Sequence, residues 1–202
     1  MRYQFLIDTY RTETEKVLSV WAMFDDADLR RRPHASDPRG RSFLEHMVHQ
    51  SVSENLWFST MLGVFVTDAP LPAQETRLSF MTFYAENAGK RLAALAEKDE
   101  GWWEETVDFF DVKRTRAWVM TRRIAHTAHH RGQQTALLRM LHRDLHSTYG
   151  PTADTGGLMQ NHAPTIYPYS DIGALLKEES GARNKSPLPG PGEKPVTERP
   201  GV

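Results

Sequence analysis

The sequence predicts an all-α fold, an antiparallel four-helix bundle with an irregular C-terminal arm, and two observations carry the prediction. Four long stretches place apolar residues at helical intervals, and no convincing set of alternating strands appears between them. The first stretch covers residues 3–24, where Phe5, Leu6, Tyr10, Val17, Leu18, Trp21 and Phe24 are separated by acids and bases at helical spacing. After the polar run "DDADLRRRPHASDPRG", Ser42 and Glu45 have the spacing of a capping box, so a second helix starts there and runs to about residue 62. The segment "GVFVTDAPLPAQ" breaks it. On this second helix Leu44, Val48 and Val52 form the apolar stripe, with His46 and His49 both off its centre.

A third helix is expected over residues 75–97, since Leu78, Met81, Tyr84, Leu92 and Leu95 share one face despite Gly89. The aromatic connection "GWWEETVDFFDVKRT" suits an extended segment, either a short strand or a loop laid over the helices. The fourth and longest helix is expected over residues 114–145, rich in Ala, Leu, Met, Arg and Gln. The bundle therefore occupies residues 1–145 as one domain. Residues 146–180 form the arm, turn-rich at first and then offering "SDIGALLKEE" as a short helix capped by Ser170. From Gly181 to residue 202 the chain is mostly Pro, Gly and charge, too poor in apolar surface to offset its ordering entropy, and is expected to be a flexible tail.

Composition narrows the function. With 25 basic and 26 acidic side chains the formal net charge is -1, and no basic face points to nucleic acid or to an anionic membrane. No run approaches the roughly 20 apolar residues of a membrane span, and the charged N-terminal stretch does not fit a signal peptide, so a cytoplasmic location is expected. The chain has no cysteine, which excludes disulfides, cysteine-ligated zinc and a cysteine nucleophile. Any thiol chemistry must use a thiol from outside.

The 9 histidines hold the remaining signal. Two pairs have i,i+4 spacing, His126 with His130 and His142 with His146. Helical phase separates them: at about 100° per residue, Val119, His130, Leu137 and Leu141 all fall within about 60° of His126, whereas His142 and His146 fall on the opposite face. The first pair thus shares the apolar stripe, and the second reads as solvent-facing near a helix C-terminus. Two imidazoles on an apolar stripe need partners for their nitrogens. Hydrogen bonds to neighbouring side chains are one solution, and a shared metal ion with a third histidine from another helix is the other. His46 and His49 are the candidates for that third position, and geometry hardly separates them.

His49 followed eight residues later by Trp57, and then the block His126, His130, Arg131, Gly132 and Gln133 in the pattern H-x-x-x-H-R-G-Q, resemble the DinB family of DinB/YfiT-like metalloenzymes over roughly residues 1–145. The resemblance implies a four-helix bundle, often a homodimer, with a divalent metal held by three histidines, here His49, His126 and His130, and His46 as the alternative for the first. It leaves His129 beside the motif as a supporting or surface residue. Arg131 and Gln133 are expected to pack or to hydrogen-bond between helices.

Three neutral imidazoles leave a position on zinc or nickel open to water or substrate, the pattern of a catalytic site. A zincin would place Glu directly after its first histidine, but Thr127 follows His126 here, so the motif supplies no general base. Related enzymes in the superfamily act on low-molecular-weight thiols. The resemblance therefore implies metal-dependent thiol S-transferase chemistry on a small-molecule substrate, with a metal-dependent hydrolase and a noncatalytic, metal-stabilised stress-response binding module as alternatives.

Overall fold

The structure is a computed structural model and describes residues 2–193. Its framework is four long helices: α1 (Gln4–Met23), α2 (Phe43–Leu56), α3 (Arg77–Ala96) and, after a short α4 (Glu100–Glu104) and a two-stranded hairpin, α5 (Arg116–Met140). The protein is mostly helical, with α1 packed on α3 and α5, and α2 on α5 and α3. None of the helices among the described residues is long and apolar enough to cross a membrane.

Local chemistry accounts for the helix starts. The Ser42 hydroxyl accepts from the Glu45 N–H while the Glu45 carboxylate accepts from the Ser42 N–H at 2.7 Å, closing the capping box expected for α2. Thr76, Asp99 and Thr115 cap α3, α4 and α5 through their side-chain oxygens. The aromatic connection is partly helical and partly extended: α4 is followed by β1 (Thr106–Phe109) and β2 (Val112–Thr115), antiparallel, with Thr106 opposite Thr115. Phe110 in its two-residue turn has a φ of 53°, which an L-residue adopts at some strain.

Two apolar clusters fill the interior. One contains Val17, Trp21, Phe43, Met47, Tyr84 and Leu137, and the other Tyr10, Trp57, Phe58, Ala88, Val119 and Met120. Along each long helix, buried polar residues lie between members of the two: Glu13 on α1, Gln50 and Glu54 on α2, Asn87 on α3, and Thr127, Arg131 and Gln134 on α5. Much of this polar layer is paired across helices. Arg131 of α5 donates to Glu13 of α1, and Gln134 of α5 donates to Gln50 of α2. Polar groups in a low-dielectric interior must be matched in this way, and the matching fixes how the helices sit along one another.

Several sequence expectations change. The stripe Leu44, Val48 and Val52 lies at the edge of the buried face: Leu44 and Val48 are half-buried against the core and Val52 is exposed, while α2 buries Phe43, His46, Met47, Gln50, Ser51 and Glu54. Hydrophobicity misplaces that face because its buried centre is polar and paired. Helix α5 stops at Met140, with His142 turned to a φ of 54°, so the phase that put His146 in solvent no longer applies. His146 is buried, and its Nε2–H donates to the Ser186 carbonyl at 3.0 Å.

In the arm, α6 (Ile172–Glu179) forms and is capped by Asp171 rather than Ser170. It packs on α1 and α3, where buried Arg77 pairs with Glu179. Beyond Gly181 the chain makes polar contacts at Arg183, Lys185, Ser186 and Gly190. Arg183 donates to the Ala22 and Phe24 carbonyls at 3.0 and 2.8 Å, satisfying acceptors at the C-terminal end of α1. The rest of that tail lies outside the described residues.

Candidate metal centre

Where α2 packs on α5, three imidazoles meet. The His130 Nε2 lies 3.0 Å from the His49 Nε2 and 3.2 Å from the His126 Nε2. One ligand atom from each of the three falls within 4.8 Å of the others. His130 is buried, and His49 and His126 are half-buried. The i,i+4 spacing places His126 and His130 on successive turns of one face of α5, and α2 brings His49 against them.

The hydrogen-bond partners decide what these nitrogens can do. His130 Nδ1 is 3.0 Å from the Gln133 Oε1, an acceptor, so Nδ1 carries the proton and Nε2 of the neutral ring presents a lone pair to its two neighbours. Gln133 in turn points its Nε2 at the Nε2 of His129, 3.2 Å away. Gln133 is therefore a partner within its own helix that sets the tautomer of His130, where the sequence suggested an interhelical bond or packing. Arg131 does bond between helices, to Glu13.

Burial pushes the His130 pKa down to about 3, with His126 adding to the effect, and pushes His126 down to about 4, assisted by the Arg123 guanidinium. His49 is lowered by burial and by Arg41. The rings are neutral at pH 7, so a metal ion need not displace protons to bind them. A tetrahedral ion with metal–nitrogen bonds of about 2.0–2.1 Å sets its ligand nitrogens ~3.3 Å apart. The separations of 3.0 and 3.2 Å are close to this, and the donor set fits a divalent cation.

The neighbours fall into two groups. Trp57, at the start of the π-helical turn Trp57–Met61, stacks on His126 with centroids 5.6 Å apart, and Phe109 and Phe110 of the hairpin meet its ring edge-on. Beneath it the buried Arg123 donates to the Ser53 hydroxyl of α2 at 3.0 Å and to the Thr127 hydroxyl of α5 at 3.2 Å, bracing the two helices that hold the imidazoles. On the open side lies a cleft of ≈ 440 Å³ lined by Arg41, His49, Arg122, His126, His129 and His130.

Of the sequence candidates, His49, His126 and His130 converge. His46 does not join them: it is buried, its ring centroid is 5.9 Å from that of His130, and its Nδ1 has no partner. His129 is exposed at the rim of the cleft. The sequence reading missed Arg123 and Glu54, and their only visible signal was charge at positions that helical phase could have assigned to a buried face.

A mainly helical protein whose second and last long helices gather three neutral imidazoles beneath an open cleft is the class these features define. The DinB family profile matches residues 6–156, and the chain belongs to the DinB family. It is also similar to a solved DinB-like protein from Bacillus cereus, with 19% sequence identity and a TM-score of 0.62, over 71% of this chain and 95% of that one. At that identity the likeness concerns the fold. No curated protein matches the chain.

Proposed function

We propose that the chain is a metal-dependent enzyme of the DinB family, built on a four-helix bundle, in which His49, His126 and His130 bind one divalent cation, zinc or nickel, for S-transfer from a low-molecular-weight thiol. The observation that carries this reading is the convergence of the three Nε2 atoms at the floor of a cleft whose lining contains no carboxylate. A bound cation would supply Lewis-acid chemistry, holding and acidifying a group placed against it.

The protein's own side chains do the rest. Gln133 fixes the His130 tautomer, the Trp57 face keeps water from one side of His126, and Arg123 holds α2 and α5 at the spacing the nitrogens need. The missing carboxylate favours a thiol over water, because activating water ordinarily calls on an acidic side chain as base, while a thiol ionises more readily. The cleft also favours an enzyme over a metal-stabilised module, since structural metal sites are closed by protein ligands. Homodimer assembly and a cytoplasmic setting complete the proposal.

The test is metal content and transfer rate together. Wild-type protein purified without a metal-binding tag should carry one divalent ion per chain and catalyse displacement of chloride from chlorodinitrobenzene by mercaptoethanol, giving the aryl thioether, chloride and a proton. The alanine variants of His49, His126 and His130 should lose both. Unchanged stoichiometry in the triple variant would reject the site, and loaded protein that hydrolyses nitrophenyl acetate but transfers no thiol would favour the hydrolase.

A further inference from the structure

The cleft above the imidazoles has a charge imbalance. Arg41, just before the Ser42 cap of α2, and Arg122, one turn before His126 on α5, both line it, and no Asp or Glu does. Neither guanidinium makes a hydrogen bond or an ion pair among the described residues. Elsewhere in the chain Arg77, Arg91, Arg123, Arg131 and Arg143 each reach a carboxylate. With neutral imidazoles as ligands, a divalent cation here would sit near two further positive charges with no carboxylate in the cleft lining to balance them. Arg41 also lines the adjoining groove with Leu44, Val48, Glu45 and Glu75, so it stands where a molecule passing from that groove would meet the histidines.

We propose that Arg41 and Arg122 are specificity-determining residues that hold the anionic group of the substrate, a carboxylate on the small thiol, while its sulfur faces the three imidazoles. This rests on the metal-dependent thiol reading above. Guanidinium groups suit the task because they stay charged and present forked donors that match a carboxylate in two parallel hydrogen bonds. The same arrangement disfavours a bare cation, so occupancy of the cleft by metal and by anion is mutually reinforcing.

Calorimetric titration of the metal-loaded protein with mercaptopropionate and with the uncharged mercaptopropanol separates the possibilities. Wild type should prefer the carboxylate-bearing thiol by at least about tenfold, a difference of ~1.4 kcal/mol. In the double variant R41Q/R122Q that preference should largely vanish, while affinity for mercaptopropanol holds and affinity for the metal alone holds or rises. Equal affinity of wild type for the two thiols, or an undiminished preference in the double variant, would overturn the assignment. Should neither thiol bind, the thiol reading falls, and the same comparison with propionate and propanol decides the arginines. Propionate binding that disappears in the double variant retains the anion site, and no propionate binding by wild type removes it.

Discussion

Two polar clusters share α2 and α5 and are built on opposite terms. Around Glu54, every lone pair is met: the carboxylate accepts from Tyr10 of α1 at 2.6 Å, Tyr84 and Arg91 of α3 at 2.7 and 3.0 Å, and Arg123 of α5 at 3.4 Å. Around His130, whose Nδ1–H donates to Gln133, the Nε2 lone pair is met only by the Nε2 atoms of His49 and His126, at 3.0 and 3.2 Å. The first cluster closes around its carboxylate and ties four helices together. The second opens onto a cleft, and its three nitrogens could hold a metal ion. A buried polar group that is matched holds a fold, whereas imidazole nitrogens gathered beside an open cleft offer a place for a cation.

The largest expected effect falls on the Glu54 side. Glu54→Ala would leave the Arg91 and Arg123 guanidiniums buried without their carboxylate, and should lower stability in urea unfolding by about 3–5 kcal/mol. A loss under about 1 kcal/mol would erase the contrast by showing that this cluster too is dispensable to the fold.

On the histidine side the effect should come through the ligand. Free zinc at about 100 times its dissociation constant should stabilise the wild-type protein by ~2.7 kcal/mol, and His130→Ala should abolish that gain. Gln133→Ala should keep one site per chain but weaken metal affinity by about 10–100-fold, because the ring of His130 is no longer held in one tautomer and orientation. Unaltered affinity would mean that packing alone orients the imidazole.

The mildest test is pH. Burial, with smaller electrostatic contributions, holds His130 to about 3 and His126 to about 4 in the folded state, against the ordinary value of 6.5. Between these values the unfolded chain binds more protons than the folded one, so stability is full above pH ~6.5 and falls progressively towards pH ~4. In the metal-free protein, His126→Ala and His130→Ala should flatten this slope when unfolding is followed from about pH 7 to about pH 5. A slope unaffected by either variant would move the pH dependence to other groups.

Much of this was legible in the sequence, for definable reasons. Helix starts were clear where a cap and apolar spacing agree, as at Ser42 and Glu45, and the pair His126 and His130 was clear because both lie within one uninterrupted helix. Helix ends and faces were less so. His146 was misjudged because phase was carried past Met140, where α5 stops. The centre of the α2 face was misjudged because apolar residues were assumed to occupy it: Leu44 and Val48 pack only at its edge, and Gln50 and Glu54 fill it by finding partners on other helices. Pairing across helices is a tertiary fact, and no single segment carries it.

X-ray absorption of the metal-loaded protein tests the central claim most directly. The three-imidazole site predicts three nitrogen ligands at about 2.0–2.1 Å with the multiple scattering of histidine, together with at least one further light-atom ligand, and disappearance of this pattern in His130→Ala. A bound ion coordinated by one or no imidazole, or the same spectrum in that variant, would contradict it.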